Sequence, residues 1–211
     1  MESLSYWLLF FSAAFALCVS PGPDLLYILS QTIAKGTKAG LASMLGVCSG
    51  AMVHVTMAAL GLSAIMAASA VAFTAVKLVG AVYLIYLGVK AFRSKTGPVH
   101  FKEGQDKSIT FFKAYKQGIL IDLFNPKPAI FFMAFLPQFV RVELGHTSAQ
   151  LFILGSLVVM VGLLVEVVVV FTAGNTTAFF RGNQRMSGLL NKALGSVMIY
   201  LGIRLALIQN K

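Results

Sequence analysis

Two short segments of this chain combine ionisable or polar side chains with a pattern that breaks helices. Ser20-Pro21-Gly22-Pro23 runs directly into Asp24, and Asn125-Pro126-Lys127-Pro128 repeats the order polar, Pro, any residue, Pro. Proline lacks an N–H and clashes with the carbonyl one turn earlier, so two prolines a residue apart interrupt a helix. Each interruption starts a new helix, whose free N–H groups and positive dipole end suit an anion such as a carboxylate. Glu166 stands next to valines 167–170, and Asp24 follows the first break. Either can bind an ammonium, carry a proton, or do both in turn. Desolvation favours the neutral form of a carboxyl, which suits a group that takes up and returns protons.

Plainer roles are open for the same residues. Asp24 can act as an N-cap acid on the second half-helix. Glu166 can pair with a basic residue of another helix, Lys127 being the obvious candidate. Lys127 can hold a carboxylate, or its flexible stem can carry the ammonium to the membrane interface. Asp122 lies one turn before the second break and reads as part of an inner vestibule. His54 reads as a core histidine, or as a hydrogen-bonding group near the site. Gly46-x-x-x-Gly50 allows close helix approach and reads as packing before site. Tyr83, Tyr86 and Tyr200 sit partway along their helices, facing either a pore or an interface.

These residues stand in a chain of 211 residues that is 58% hydrophobic and 11% charged, with mean hydropathy +0.84. Soluble domains carry roughly 25% charged residues, so an ordinary soluble enzyme is excluded. At about 20 residues per crossing, the length accommodates roughly six or seven membrane helices and little else. The net charge of +10 resides in Lys and Arg of short loops between apolar runs. That pattern fits membrane orientation and not nucleic-acid binding. Cys18 and Cys48 lack CxxC spacing, so neither a disulfide nor a metal site is indicated.

Uncharged runs predict six helices in an all-α membrane protein. Helix 1 covers residues 3–33 and is too long for one straight crossing. Helix 2 covers 40–63, a small-residue turn 64–72, and helix 3 residues 73–92. A polar linker follows at 93–110. Helix 4 covers 111–139, helix 5 147–172 and helix 6 187–208. Loops 1-2, 3-4 and 5-6 hold most of the basic residues, from Lys35 and Lys38 through Lys90, Arg93, Lys113 and Lys116 to Arg181, Arg185 and Lys192. The positive-inside rule makes these loops cytoplasmic and places both termini outside. The apolar start carries Glu2 in place of a basic n-region and reads as mature helix 1, not a signal peptide.

The two halves also repeat. Lys77, Gly80 and Tyr86-Leu87-Gly88 resemble Lys192, Gly195 and Tyr200-Leu201-Gly202, while Gly40 and Gly50 have counterparts in Gly145 and Gly155. Residues 1–92 and 111–211 therefore read as two three-helix units. Because three is odd, the second is inverted relative to the first, with helices 1 and 4 broken, as in many secondary transporters. No Walker motif, metal-ligand cluster or dinucleotide loop is present, so no cofactor is expected and an ion gradient is the expected energy source.

At these residues the chain resembles the LysE/RhtB family of bacterial amino-acid exporters. The resemblance covers nearly the whole chain: Ser20 to Asp24, Gly46 to Gly50 with His54, Tyr83 to Gly88, and Asn125-Pro126-Lys127. It implies an exporter of small amino acids in the cytoplasmic (inner) membrane, exchanging substrate for protons, and is nearer the homoserine and threonine branch than the lysine branch. A zwitterionic substrate would place its carboxylate near Pro21 to Pro23 or Asn125 to Pro128, and its ammonium against Asp24 or Glu166. Protons from outside would then discharge those carboxylates. Alternatives are a metal exporter, a passive channel, and a membrane thiol-redox protein like others in the superfamily, although Cys18 has Leu123 as its repeat counterpart. The packing glycines suit a homodimer and a monomer equally.

Overall fold

The computed structural model describes residues 4–93, 110–182 and 184–207, and among them the chain is helical with no strand. Helices α1 (Leu4–Val19) and α2 (Pro23–Lys35) meet at 54° across the first proline motif. Helix α5 (Phe111–Leu123) and helix α6 (Pro126–Phe135), which runs on as a 3-10 turn over Leu136–Phe139, meet at 53° across the second. Pro23 and Pro126 each open a helix, where the missing N–H has no bond to lose and φ is already set. The remaining elements are α3 (Thr37–Ala68), α4 (Ala70–Arg93), a 3-10 turn at Val142–Leu144, α7 (Thr147–Gly182) and α8 (Gln184–Leu207).

Helices α3 and α7 contain stretches, Thr37–Ile65 and Thr147–Ala173, long and apolar enough to cross a bilayer, and counting each bent pair as one crossing raises the number to as many as four. The turn expected at 64–72 shrinks to one extended residue, Ser69. Alanine favours helix on both sides of it, and the Ser69 hydroxyl accepts from the Ala72 N–H (3.1 Å) to start α4. Helix α7 runs ten residues beyond the expected end at 172, there being no proline to stop it. Most of the linker at 93–110, with Lys95, Lys102 and Lys107, lies outside the described residues, as do Glu2 and Lys211.

Glycines let the helices touch. A Cβ on Gly88 would meet Ile199 at 2.6 Å and the Gly195 carbonyl at 2.7 Å, and one on Gly202 would meet Ile85 at 2.7 Å and the Ala81 carbonyl at 2.8 Å. These contacts run in opposite directions along α4 and α8, so the pair is antiparallel. Gly46 faces the Tyr115 carbonyl, and a Cβ on Gly118 would lie 3.1 Å from the Gly46 Cα, bringing the backbones of α3 and α5 together. The Gly46-x-x-x-Gly50 motif thus packs helices within the chain.

Two apolar clusters bracket the breaks. The larger joins Phe10 to Leu17 of α1, Val55 to Leu62 of α3, Leu151 to Val158 of α7 and the α6 aromatics, with the Phe131 and Phe135 ring centroids 4.5 Å apart. The Tyr6 hydroxyl donates to the Phe139 carbonyl (2.7 Å) at its edge. The smaller joins Ile28, Met44, Val47 and Val170. In α3 and α7, the residues between the two clusters include Cys48, Gly50, His54 and Glu166; in the first bent pair they include the break itself.

Candidate functional site

The two breaks meet through Lys127. Its ammonium donates to the Ser20 carbonyl (2.6 Å) and lies 3.6 Å from Asp24 Oδ2. The carbonyl is available because the chain leaves α1 there and Pro23, which has no N–H, begins the next helix. It lies at the negative end of the α1 dipole, a favourable seat for a cation. Gly22 leaves room: a Cβ there would lie 3.1 Å from both Lys127 Cδ and Nζ, and closer still to Asp24 Oδ1. Lys127 is buried, so its stem turns inward between the breaks and does not reach for the interface.

The two new helix starts differ. In α6 the Asn125 N–H donates to the Asp122 carbonyl (2.9 Å) and the Lys127 N–H to Asn125 Oδ1 (3.1 Å), while Pro126 and Pro128 have none to offer. In α2 the N-cap is Gly22, with no side-chain cap, and the first backbone bond is from Leu26 to the Gly22 carbonyl (3.0 Å). The Asp24 and Leu25 N–H groups of α2 therefore remain open to an anion. Asp24 is in the first turn and is not the cap.

Around this junction stand further polar groups. The Asp122 carbonyl accepts from Asn125 N–H and from His54 Nε2 (3.0 Å), and since a carbonyl only accepts, Nε2 carries the proton. Asp122 Oδ2 lies 4.0 Å from His54 Nε2 and has no hydrogen-bond partner, and Asn125 Nδ2 and Asp24 Oδ1 are likewise without one. Gly50 admits the carboxyl, its Cβ position being 2.8 Å from Asp122 Cβ and 3.0 Å from Oδ2. Glu166 is buried in α7 and accepts from the Cys48 thiol (Sγ to Oε2 3.4 Å). Asp24, Asp122 and Lys127 all lie within electrostatic reach of it.

The structure thus gathers Ser20, Gly22, Asp24, Asn125 and Lys127 at the junction, with Asp122, His54, Gly50 and Glu166 around it. Lys127 pairs with Asp24, and the direct hydrogen bond to Glu166 comes from Cys48. Pro21 and Pro126 are exposed, while Pro128 is buried. Tyr86 and Tyr200 are exposed on α4 and α8. Cys48 carried no sequence signal, since its contact crosses 118 residues of chain. Tyr27, which ties α2 to α5 through the Ala114 carbonyl (2.9 Å) and Gln117 (3.1 Å), carried none either. Both cysteines are free thiols, and among the described residues no group of three His, Cys, Asp or Glu side chains is placed to hold a metal ion.

Residues 15–209 match the family described as LysE type translocator. The chain belongs to that family. It is 30% identical over 196 residues to the uncharacterized membrane protein YrhP of Bacillus subtilis, covering 90% of this chain and 92% of that one. It is 27% identical over 207 residues to the leucine efflux protein of Salmonella typhimurium, covering 98% and 97%. A third relative, the uncharacterized membrane protein PA4757 of Pseudomonas aeruginosa, is 27% identical over 204 residues, covering 95% and 94%. No solved structure matches the chain. It is thus a LysE-type membrane translocator with a polar site between two broken helices.

Proposed function

We propose that this translocator exports small neutral amino acids, threonine, homoserine and leucine among the candidates, across the cytoplasmic membrane in exchange for protons. The observation that carries this is the composition of the junction. The Lys127 ammonium lies 3.6 Å from Asp24, and two further carboxyls, those of Asp122 and Glu166, are buried near the same junction. With all four ionised and His54 neutral, 3 − 1 leaves two uncompensated negative charges, which a low-dielectric setting does not tolerate. Bound protons or a substrate ammonium supply the difference, and exchange of one for the other is antiport.

A zwitterionic substrate fits the unused groups. Its carboxylate would meet the open Asp24 and Leu25 N–H groups, with Asn125 Nδ2 and a spare Lys127 donor nearby. Its ammonium would go to Asp122 and Glu166. The leucine efflux relatives support a neutral substrate. An inverted 3+3 repeat with six crossings and both termini outside is part of this reading. It is supported by the crossing of α4 and α8, where Gly88 faces Ile199 as Gly202 faces Ile85, each residue being the repeat counterpart of the other.

The test uses purified protein in liposomes carrying an imposed pH gradient, with amino acids and divalent metals added singly. Protein-dependent gradient collapse on adding threonine, homoserine or leucine is expected. Collapse with metals alone would replace the amino-acid reading by metal export, and no response to any solute would refute proton-coupled transport.

A further inference from the structure

Lys127 is a cation that the chain itself supplies to a junction that also holds the carboxyls of Asp24, Asp122 and Glu166. Its ammonium rests on the Ser20 carbonyl at 2.6 Å and beside Asp24 Oδ2 at 3.6 Å, in space that Gly22 leaves by having no side chain. A main-chain carbonyl at a helix C-terminus with a carboxylate beside it is a seat for a primary amine. Lys127 takes the Ser20 carbonyl and the Oδ2 side of Asp24, and leaves Asp24 Oδ1 without a hydrogen bond. Asp122 Oδ2 has no partner, and Glu166 has only the Cys48 thiol. Together they match one α-ammonium.

We infer that Lys127 sets the charge class of the substrate, its tethered ammonium filling the amine seat and so shutting out amino acids that carry a second positive charge. The inference rests on the transport reading above. Lysine or ornithine would bring two ammonium groups, and the one that approaches the Ser20 carbonyl and Asp24 would meet Lys127 there as a like charge. At about 5 Å and an effective dielectric near 20, that repulsion disfavours binding on the order of a hundredfold. Neutral amino acids meet no such penalty. An arginine at 127 would keep the exclusion, and an uncharged residue would remove it.

The test compares wild type with Lys127→Arg, Lys127→Met and Lys127→Gln. Two readouts serve: collapse of a pH gradient in proteoliposomes, and thermal stabilisation of the detergent-purified protein, each on adding lysine, ornithine, leucine or threonine. Wild type is expected to respond to the neutral amino acids only, and whatever response Lys127→Arg retains is expected to be confined to them. The Met and Gln variants are expected to gain a response to lysine and ornithine, the lysine-to-leucine ratio rising on the order of a hundredfold. The near-isosteric Gln variant stands in should Met fail to fold. Monodisperse, folded Met or Gln protein with no lysine response in either readout overturns the inference, as does a wild type that answers lysine as it answers leucine. Both results leave amino-acid transport standing; a wild type inert to every amino acid removes the transport reading itself.

Discussion

Substituting Gly22 by serine sets opposing effects against each other at one position. Gly22 has φ −134° and ψ 178°, extended backbone that any residue adopts. Replacing glycine there stabilises by about 0.4–1 kcal/mol through the unfolded chain, and serine caps a helix at least as well as glycine, adding a few tenths. Sterics oppose both, because the new Cβ would lie 3.1 Å from Lys127 Cδ and Nζ and closer still to Asp24 Oδ1. Asp24 must turn its carboxylate aside and Lys127 must shift, so the 3.6 Å ion pair and the 2.6 Å bond to the Ser20 carbonyl are both disturbed. A hydrogen bond to a charged group contributes about 1.5–3 kcal/mol, so the steric loss wins and the net destabilisation is about 1–2 kcal/mol. Thermal unfolding in detergent should show a midpoint lower by roughly 2–8 °C, at about 2–4 °C per kcal/mol for this size. In a Lys127→Ala background the collision with Lys127 is gone and that with Asp24 Oδ1 remains, so the same substitution costs less than in wild type. Equal effects in the two backgrounds, or a Gly22→Ser protein as stable as wild type, would refute the packing of Lys127 over Gly22.

Asp24→Asn should abolish pH-driven export while the protein stays folded, with a lower midpoint because Lys127 loses its paired charge; retained coupled export removes Asp24 from the mechanism. Glu166→Gln should leave the protein folded, since the amide oxygen still accepts from Cys48, but end substrate-dependent collapse of the pH gradient; a wild-type response would show that Glu166 neither binds substrate nor carries the proton. Cys18→Ala should leave transport unchanged and alter stability by no more than about 1 kcal/mol, because the thiol makes only a 3.9 Å contact to the Val158 carbonyl. Loss of gradient collapse in that variant would revive a thiol role.

The breaks were legible because proline acts on its own backbone: missing N–H groups at 21, 23, 126 and 128 need no tertiary context to end a helix. Glu166 was legible as costly, since a carboxyl among valines has to be accounted for. Its partner was not. Cys48 reads as one more small apolar residue until α3 and α7 are packed, and nothing local distinguishes it. Lys127 was undecided for the same reason, its long stem permitting both an inward and an outward course. The sequence places Asp122 in the vestibule but not its contacts, which come through distant neighbours: Gly50 lets it approach α3, and His54 reaches its carbonyl across 68 residues of chain. The sequence spreads the Ser69 break over a nine-residue turn because small residues suit both turn and helix, and the side-chain cap that decides between them is a matter of one hydroxyl.

Gly22 and Lys127 occupy the same position in the repeated motif, and they touch. Where two equivalent positions of a duplicated segment meet, both cannot carry a long side chain, because each would need the space of the other. One must be small for the other to be large, and the duplicated segments must diverge at the point of contact. The helices diverge with them. In the second motif the helix starts at the first proline, with Asn125 as its cap, and its N–H groups are satisfied within the chain. In the first it starts two residues later, at the second proline, with Gly22 as an N-cap that has no side chain to bond with. That delay leaves Ser20 with a carbonyl for the ammonium, and Asp24 and Leu25 with N–H groups for an anion. One motif therefore yields a sealed break that contributes a cation, and the other an open break that receives it. The chemistry of the junction comes from this difference between the halves, so substitutions that make them more alike, such as a side chain at 22 or its loss at 127, should impair the site more than equal changes in volume elsewhere in the core.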